Sequence, residues 1–160
     1  MFTVTVIAVG RLKDRFYEDA AAEYMKRLSA YAKVNVVEIK AADLPDDPGD
    51  ALIADALQKE GREIIKKLPA DALAVSLCVE GKAYSSEELA GMFQKSANSG
   101  VSHIAFIIGG SYGLSEEVKS KSKIRLSMSK MTFPHRLARI MLLEQVYRAF
   151  KINKGEKYHK

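Results

Sequence analysis

The chain has no tryptophan, one cysteine, three histidines and four prolines among its 160 residues. Each scarcity removes a class of protein. A single cysteine, Cys78, cannot close an internal disulfide, which excludes a disulfide-stapled secreted fold. His103, His135 and His159 have no companion at zinc-ligand spacing, so no metal is expected. No apolar run approaches the ~18 residues that a membrane span needs. The opening MFTVTVIAVG lacks a basic segment and a small-residue cleavage site, so it is expected to be a first strand of a cytoplasmic protein rather than a signal peptide. Also missing are G-x-G-x-x-G and G-x-x-x-x-G-K-[ST]. A Rossmann dinucleotide site and a P-loop are thereby set aside.

What is present points to a packed domain. Hydrophobic residues make up 48% and charged residues 28%, in the range of a single globular domain over residues 1–160. The net charge of +5 is unevenly spread. Lys130, Arg136, Arg139, Arg148, Lys151, Lys154, Lys157 and Lys160 are opposed after residue 129 only by Glu144 and Glu156, while the preceding chain is nearly neutral. A basic end on a neutral body suits an anionic partner, nucleic acid first, or serves as a solubilising tail.

Periodicity alternates between strand and helix. Thr3–Val9, Val34–Ile39, Ala72–Val79 and His103–Ile108 are apolar and largely β-branched, and IRLSMS adds a short fifth strand. Helices are expected over Asp14–Ala32, through Ile53, Leu57, Ile64 and Leu68, from the Ser85/Glu88 capping box to Asn98, after Ser115, and from Pro134 onward. Gly61 marks a candidate break in the second helix, at ~1 kcal/mol relative to Ala. AADLPDDPGD (41–50) is the one loop-like stretch. The class is therefore α/β with a mostly parallel sheet flanked by helices. In such sheets ligands sit beyond the carboxyl ends of the strands. The turns there are GRLKD, VEGKAYS, GGSYGL and SMSKMTF. Cys78 is expected to be a core residue, His103 to be structural, and Glu116 and Glu117 to be first-turn helix charges.

The last helix is apolar around most of its circumference, from Leu137 through Phe150. Its own sheet covers one side, and a second copy of the chain is the expected cover for the other. Arg136, Arg139 and Arg148 would then lie near a shared groove.

The segments VIAVGRLKD, YMKRL, FIIGGSYGL, LSMSKMTFPHRLARIMLLEQVYRAFKI and the terminal GEKYHK resemble the RlmH family, small SPOUT-class methyltransferases of bacteria. The resemblance runs from the first strand to the last residue. It implies a C-terminal trefoil knot, a homodimer, and transfer of a methyl group from S-adenosylmethionine (SAM) to N3 of a pseudouridine in helix 69 of 23S rRNA, with S-adenosylhomocysteine as product and no metal. Leu77, Gly109, Met128, Ser129, Lys130, Met131, Thr132 and Phe133 match the family's SAM positions. Tyr112 stands where many relatives are expected to carry Asn or Glu. Because the imide nitrogen carries a proton at neutral pH, a base or a cation must help remove it. His159, Tyr158, Arg148 and His135 are candidates for that work or for positioning. Docking RNA through phosphate contact or stacking is the alternative for each. Two rival functions remain at this level: an RNA-binding module without catalysis, and a SPOUT enzyme acting on tRNA.

Overall fold

The computed structural model describes residues 1–160. In chain order the elements are β1 (Phe2–Val9), α1 (Arg15–Leu28), β2 (Ala32–Ile39), α2 (Asp50–Lys67), β3 (Leu73–Ala83), α3 (Ser86–Asn98), β4 (His103–Ile108), α4 (Glu116–Lys121), β5 (Ile124–Ser127) and α5 (His135–Asn153). All five strands are parallel, in the order β2-β1-β4-β3-β5. The continuous apolar run of β1 follows from its place inside the sheet. Val4, Val6 and Ala8 face one helical layer, and Ile7 and Val9 face the other. The first layer holds α1, α5 and α3, with α5 packed against both neighbours. Phe93, Phe106 and Phe150 are buried at its centre, Phe93 and Phe150 with ring centroids 5.0 Å apart. The second layer holds α2 and α4, whose Ile64 and Val118 cover Ile7, Val9, Ile39 and Ile107.

Several expectations are corrected. β3 does not end at Val79. It continues to Ala83 through a bulge, because Leu77 and Lys82 both pair with Leu126 of β5 and residues 78–81 are left outside the ladder. Pro134 is the residue before α5 rather than its first turn, and its ψ of 137° is extended. The apolar circumference of α5 is covered mainly within the chain, since α1 and α3 flank it. Leu142, Leu143, Val146, Ala149 and Phe150 are buried, and Leu137, Ala138, Met141 and Tyr147 are only partly so.

Gly61 does not interrupt α2. A Cβ at this position would sit 2.6 Å from Ser115 Oγ and 3.2 Å from Val118 Cγ2, so the missing side chain is what lets α2 approach α4. Ser115 in turn caps α4 by accepting from the Val118 N–H. An exposed helix would gain about 1 kcal/mol from Gly→Ala. At Gly61 the sign is expected to reverse. Gly61→Ala should lose about 1–3 kcal/mol through overpacking, read as a lower midpoint in thermal or urea unfolding. The pair Gly61→Ala/Ser115→Ala should be less destabilised than the sum of its two single changes, because Ser115→Ala removes the atom in conflict.

His103 has the structural role expected of it. Its Nε2 lies 2.9 Å from the buried Thr5 Oγ1, and its Nδ1 lies 3.2 Å from Asp71.

Candidate active site

The sheet changes direction at β1: the chain moves outward to β2, then returns to fill β3, β4 and β5 on the other side. Two adjoining clefts open beyond the carboxyl ends of the strands at this point, where an open α/β sheet places its ligands.

The first cleft, about 830 Å³, lies beyond β3, β4 and β5. Leu77, Ile108, Leu126, Met128, Phe133 and Pro134 give it an apolar lining. Residues 109–113 together with Ser129, Met131, Thr132 and Phe133, all outside any strand ladder or helix, border it. These segments keep their shape by local bonds. Gly113 N–H donates to Gly110 O at 3.1 Å, and Ser129 Oγ accepts from Met131 N–H at 3.0 Å while Ser127 Oγ donates to Ser129 O at 2.9 Å. An apolar cleft with thioethers and open peptide edges fits a purine nucleoside bearing a sulfonium chain: the ring can be gripped by main-chain groups, and no countercharge is forced against the sulfur. Of the residues assigned to SAM from the sequence, Leu77, Gly109, Met128, Ser129, Met131, Thr132 and Phe133 line this cleft. Lys130 does not.

Three lining groups were not assigned to a site from the sequence, although Glu80 lies in the VEGKAYS turn. Cys78 is half-buried at the cleft wall rather than in the core, and burial, followed by the nearby Glu80 charge, pushes its thiol up. Glu80 and Lys119 form an ion pair at the edge. Burial works to lower the Lys119 ammonium, but Glu80 and Glu116 outweigh it and raise it, so the cation is fixed. The bulge of β3 brings Glu80 to α4, and strand periodicity carries no sign of a bulge.

The second cleft, about 700 Å³, lies beyond β1 and β2 and touches α2. It shares Gly110, Ser111, Tyr112 and His135 with the first. His135 is held down mainly by burial, then by Arg136, Arg139 and Lys13, so its imidazole is neutral near pH 7. Glu60 on the cleft wall accepts from Ala42 N–H at 2.9 Å. Burial raises this carboxyl against the pull of that bond.

Within the chain the arginines of α5 make different contacts. Arg139, 3% exposed, donates to Glu38 at 2.8 Å and to Gly10 O at 2.9 Å. Arg136 donates to Arg11 O at 3.0 Å. Both clamp the loop after β1. Arg148 lies more than three turns beyond Arg136, about 18 Å along the helix at 1.5 Å per residue. It pairs with Glu144 and meets His159 Nδ1 at 3.2 Å.

The tail turns back along α5 at Gly155, whose φ is +66°. The Tyr158 ring packs on Tyr147 with centroids 4.9 Å apart, and its hydroxyl donates to Glu144 at 3.0 Å. Burial and that carboxylate raise the phenol. His159 Nε2 lies 2.7 Å from Glu87 at the start of α3. Arg148, Tyr158 and His159 thus form one cluster. His135 stands apart at the clefts, and none of the three tail-cluster groups lines either cleft of the same chain.

No group of three or more His, Cys, Asp or Glu side chains is arranged to hold a metal ion, and no helix is long and apolar enough to cross a membrane.

Comparison with known proteins places these features in context. The family described as "Predicted SPOUT methyltransferase" matches residues 2–159. The chain is 50% identical over 159 residues to "Ribosomal RNA large subunit methyltransferase H" of Pelotomaculum thermopropionicum, covering 99% of each chain. It is 48% identical over 157 residues to the protein of the same name from Bacillus thuringiensis, covering 98% of this chain and 99% of the other. Among solved structures, a probable methyltransferase from Bordetella pertussis superposes with a TM-score of 0.56 at 16% identity, covering 92% of this chain and 95% of that one. A probable methylase family protein from Haemophilus influenzae gives 0.53 at 16% identity, covering 99% of this chain and 70% of that one. At that identity the structural likeness speaks for the fold alone.

Proposed function

Since the chain belongs to the SPOUT methyltransferase family, we propose that it is a SAM-dependent methyltransferase of 23S rRNA in the large ribosomal subunit, acting on N3 of a pseudouridine in helix 69. The observation that carries this reading is the full-length likeness to large-subunit rRNA methyltransferases, joined to an apolar, main-chain-edged cleft at the positions where a nucleoside methyl donor fits.

In the reaction the sulfur–methyl bond of SAM breaks as the N3–methyl bond forms. S-adenosylhomocysteine leaves, and the N3 proton passes to a base. The cleft's part is to hold donor and acceptor in line, which is where most of the rate gain in such a transfer arises. Lys119 and Glu80 offer opposite charges at the cleft edge for the carboxylate and ammonium of the methionine chain. His135, neutral and at the seam of the two clefts, is one candidate proton acceptor or positioning group.

The working unit in this proposal is a cytoplasmic homodimer carrying the knot that the family implies. Leu137 and Met141, partly exposed on α5, supply an apolar face for the second copy. The geometry of the tail favours action across that dimer. Tyr158 and His159 lie along their own α5 and line neither of their own clefts, and a partner's tail could approach where their own does not. Sedimentation at micromolar concentration is expected to give twice the chain mass, and a monomer would remove the cross-dimer arrangement.

The function is tested by incubating the protein with methyl-labelled SAM and ribosomes lacking the modification, then locating label by nuclease digestion and mass spectrometry. Label on a 23S pseudouridine is the expected result. SAM binding with label only on tRNA would move the acceptor. Failure to bind SAM would favour an RNA-binding module.

A further inference from the structure

The cleft beyond β1 and β2 has no assigned occupant. Its construction is specific. The loop that follows β1 is clamped from α5 at two carbonyls, Gly10 O by Arg139 and Arg11 O by Arg136. Within that loop Lys13 has φ +62°, the one non-glycine residue of the chain in the left-handed region. A lysine there costs of order 1 kcal/mol that a glycine would not. The loop therefore holds an ammonium at the cleft where the backbone would prefer no side chain.

Charge follows the same pattern. Arg11, Lys13 and Lys40 are exposed at the cleft and make no ion pair, and Arg136 uses Nε for the loop, leaving its remaining donors free of protein partners. Lys59, Lys66 and Arg27 are paired with carboxylates; other cations such as Lys67 and Lys121 are unpaired as well, but Arg11, Lys13, Lys40 and Arg136 line one cleft together. Tyr112 stands at the seam with the SAM cleft, 47% exposed, its ring available to a flat partner. The Glu60 carboxylate, fixed by the Ala42 N–H, lies on the wall. Unpaired cations, an exposed aromatic ring and a fixed acceptor within one cleft are what a nucleotide requires: phosphate contacts, stacking and a partner for an imide or amine N–H.

We propose that this cleft receives the acceptor RNA nucleotide, turned out of its loop, with its base against Tyr112 and His135 and its flanking phosphates on Arg11, Lys13, Lys40 and Arg136. The inference rests on the methyltransferase reading above and adds where the RNA enters. The shared wall then has a purpose: one cleft holds the donor, the neighbouring one the acceptor, and the methyl group crosses at Gly110–Tyr112 and His135.

The test uses the full-length protein, with ribosomes as the varied substrate and SAM affinity measured separately by calorimetry. Lys13→Ala/Lys40→Ala is expected to raise KM for ribosomes about tenfold and to lower the log–log salt slope by about two, one per lost phosphate contact. SAM affinity should stay within about twofold of the unaltered protein, because neither lysine lines the SAM cleft. Tyr112→Ala should lower kcat/KM for ribosomes about tenfold, in line with the loss of one stacked base, and Tyr112→Phe should restore it. An unchanged ribosome KM in the double variant overturns the proposal. So does a Tyr112→Ala protein whose SAM affinity falls as far as its transfer rate, which would assign the ring to the donor. Should the unaltered protein methylate no rRNA, the methyltransferase reading fails separately. The cleft is then judged by binding of labelled hexauridylate, where an unchanged affinity in the double variant overturns it and a lower affinity supports it.

Discussion

Deleting Tyr158–Lys160 is expected to lower methyl transfer to ribosomes by about 100-fold, the scale of a lost proton-transfer or positioning group, with SAM affinity changed by no more than about twofold. Tyr158 packs on Tyr147 and donates to Glu144, and His159 meets Arg148 and Glu87. None of these residues lines the cleft proposed for SAM, so the donor should bind the truncated chain normally. Folding should also survive. The polar interactions that the deletion removes are partly exposed, where an ion pair contributes about 1 kcal/mol or less. The Arg148–Glu144 pair one helical turn apart remains, and Lys151, Glu156 and Tyr31 still tie the last turn of α5 to the α1–β2 turn. A circular-dichroism melt checks that point, calorimetry the SAM affinity, and labelled transfer the rate. Full activity in the truncated protein would end the tail's role in the reaction. Parallel loss of SAM affinity and rate would make the tail part of the donor site. Tyr158→Phe separates the ring from the hydroxyl: it keeps the packing on Tyr147 and loses only the bond to Glu144.

The strands were legible because a parallel sheet covered on both faces needs nearly uninterrupted apolar runs, and β1 and β4 have them. The capping box of α3 was legible for a local reason: Ser85 and Glu88 satisfy each other's backbone groups in the structure as the spacing requires. Features set by tertiary contact were not. The bulge that carries β3 past Val79 depends on pairing with β5, far along the chain, and no periodicity within β3 encodes it. Gly61 looked like a helix break because propensity counts only the helix, whereas its space is taken by Ser115 of another element. Arg136, Arg139 and Arg148 share a helix, and nothing in the sequence separates them, yet two clamp the β1 loop and the third belongs to the tail cluster. At the site, main-chain loops rich in glycine, serine and methionine could be picked out by composition. The second cleft could not, since Arg11, Lys13, Lys40 and Tyr112 come from three separate turns. Lys13 carries no mark in the sequence of its left-handed backbone.

Gly109→Ala is expected to weaken SAM binding by about 100-fold, equivalent to about 2.7 kcal/mol, and to lower the unfolding midpoint by several degrees. In GGSYGL a glycine suggests only permissive backbone. The structure shows a stricter reason. A Cβ on Gly109 would lie 2.3 Å from Gly113 O and 2.5 Å from Gly113 C. Those are backbone atoms, and they cannot turn aside as the end of a side chain would. Gly113 cannot easily move either: its φ is +86°, and its N–H is held by Gly110 O. The added methyl must therefore open the loop at 109–113, which borders the cleft proposed for the donor and the seam with its neighbour. Overpacking of this kind costs about 1–3 kcal/mol in stability, a fall of roughly 3–10 °C for a domain of this size. Gly91→Ala is the matched control. Gly91 lies within α3, a Cβ there meets nothing within 4 Å, and the substitution should raise stability by up to about 1 kcal/mol without touching SAM affinity. Calorimetric titration with SAM and thermal melts of both variants decide the matter. A Gly109→Ala protein that melts lower yet binds SAM normally would place the donor outside this cleft. One that melts and binds like the unaltered protein would mean that the loop yields freely, and that its tight crossing is not what shapes the site.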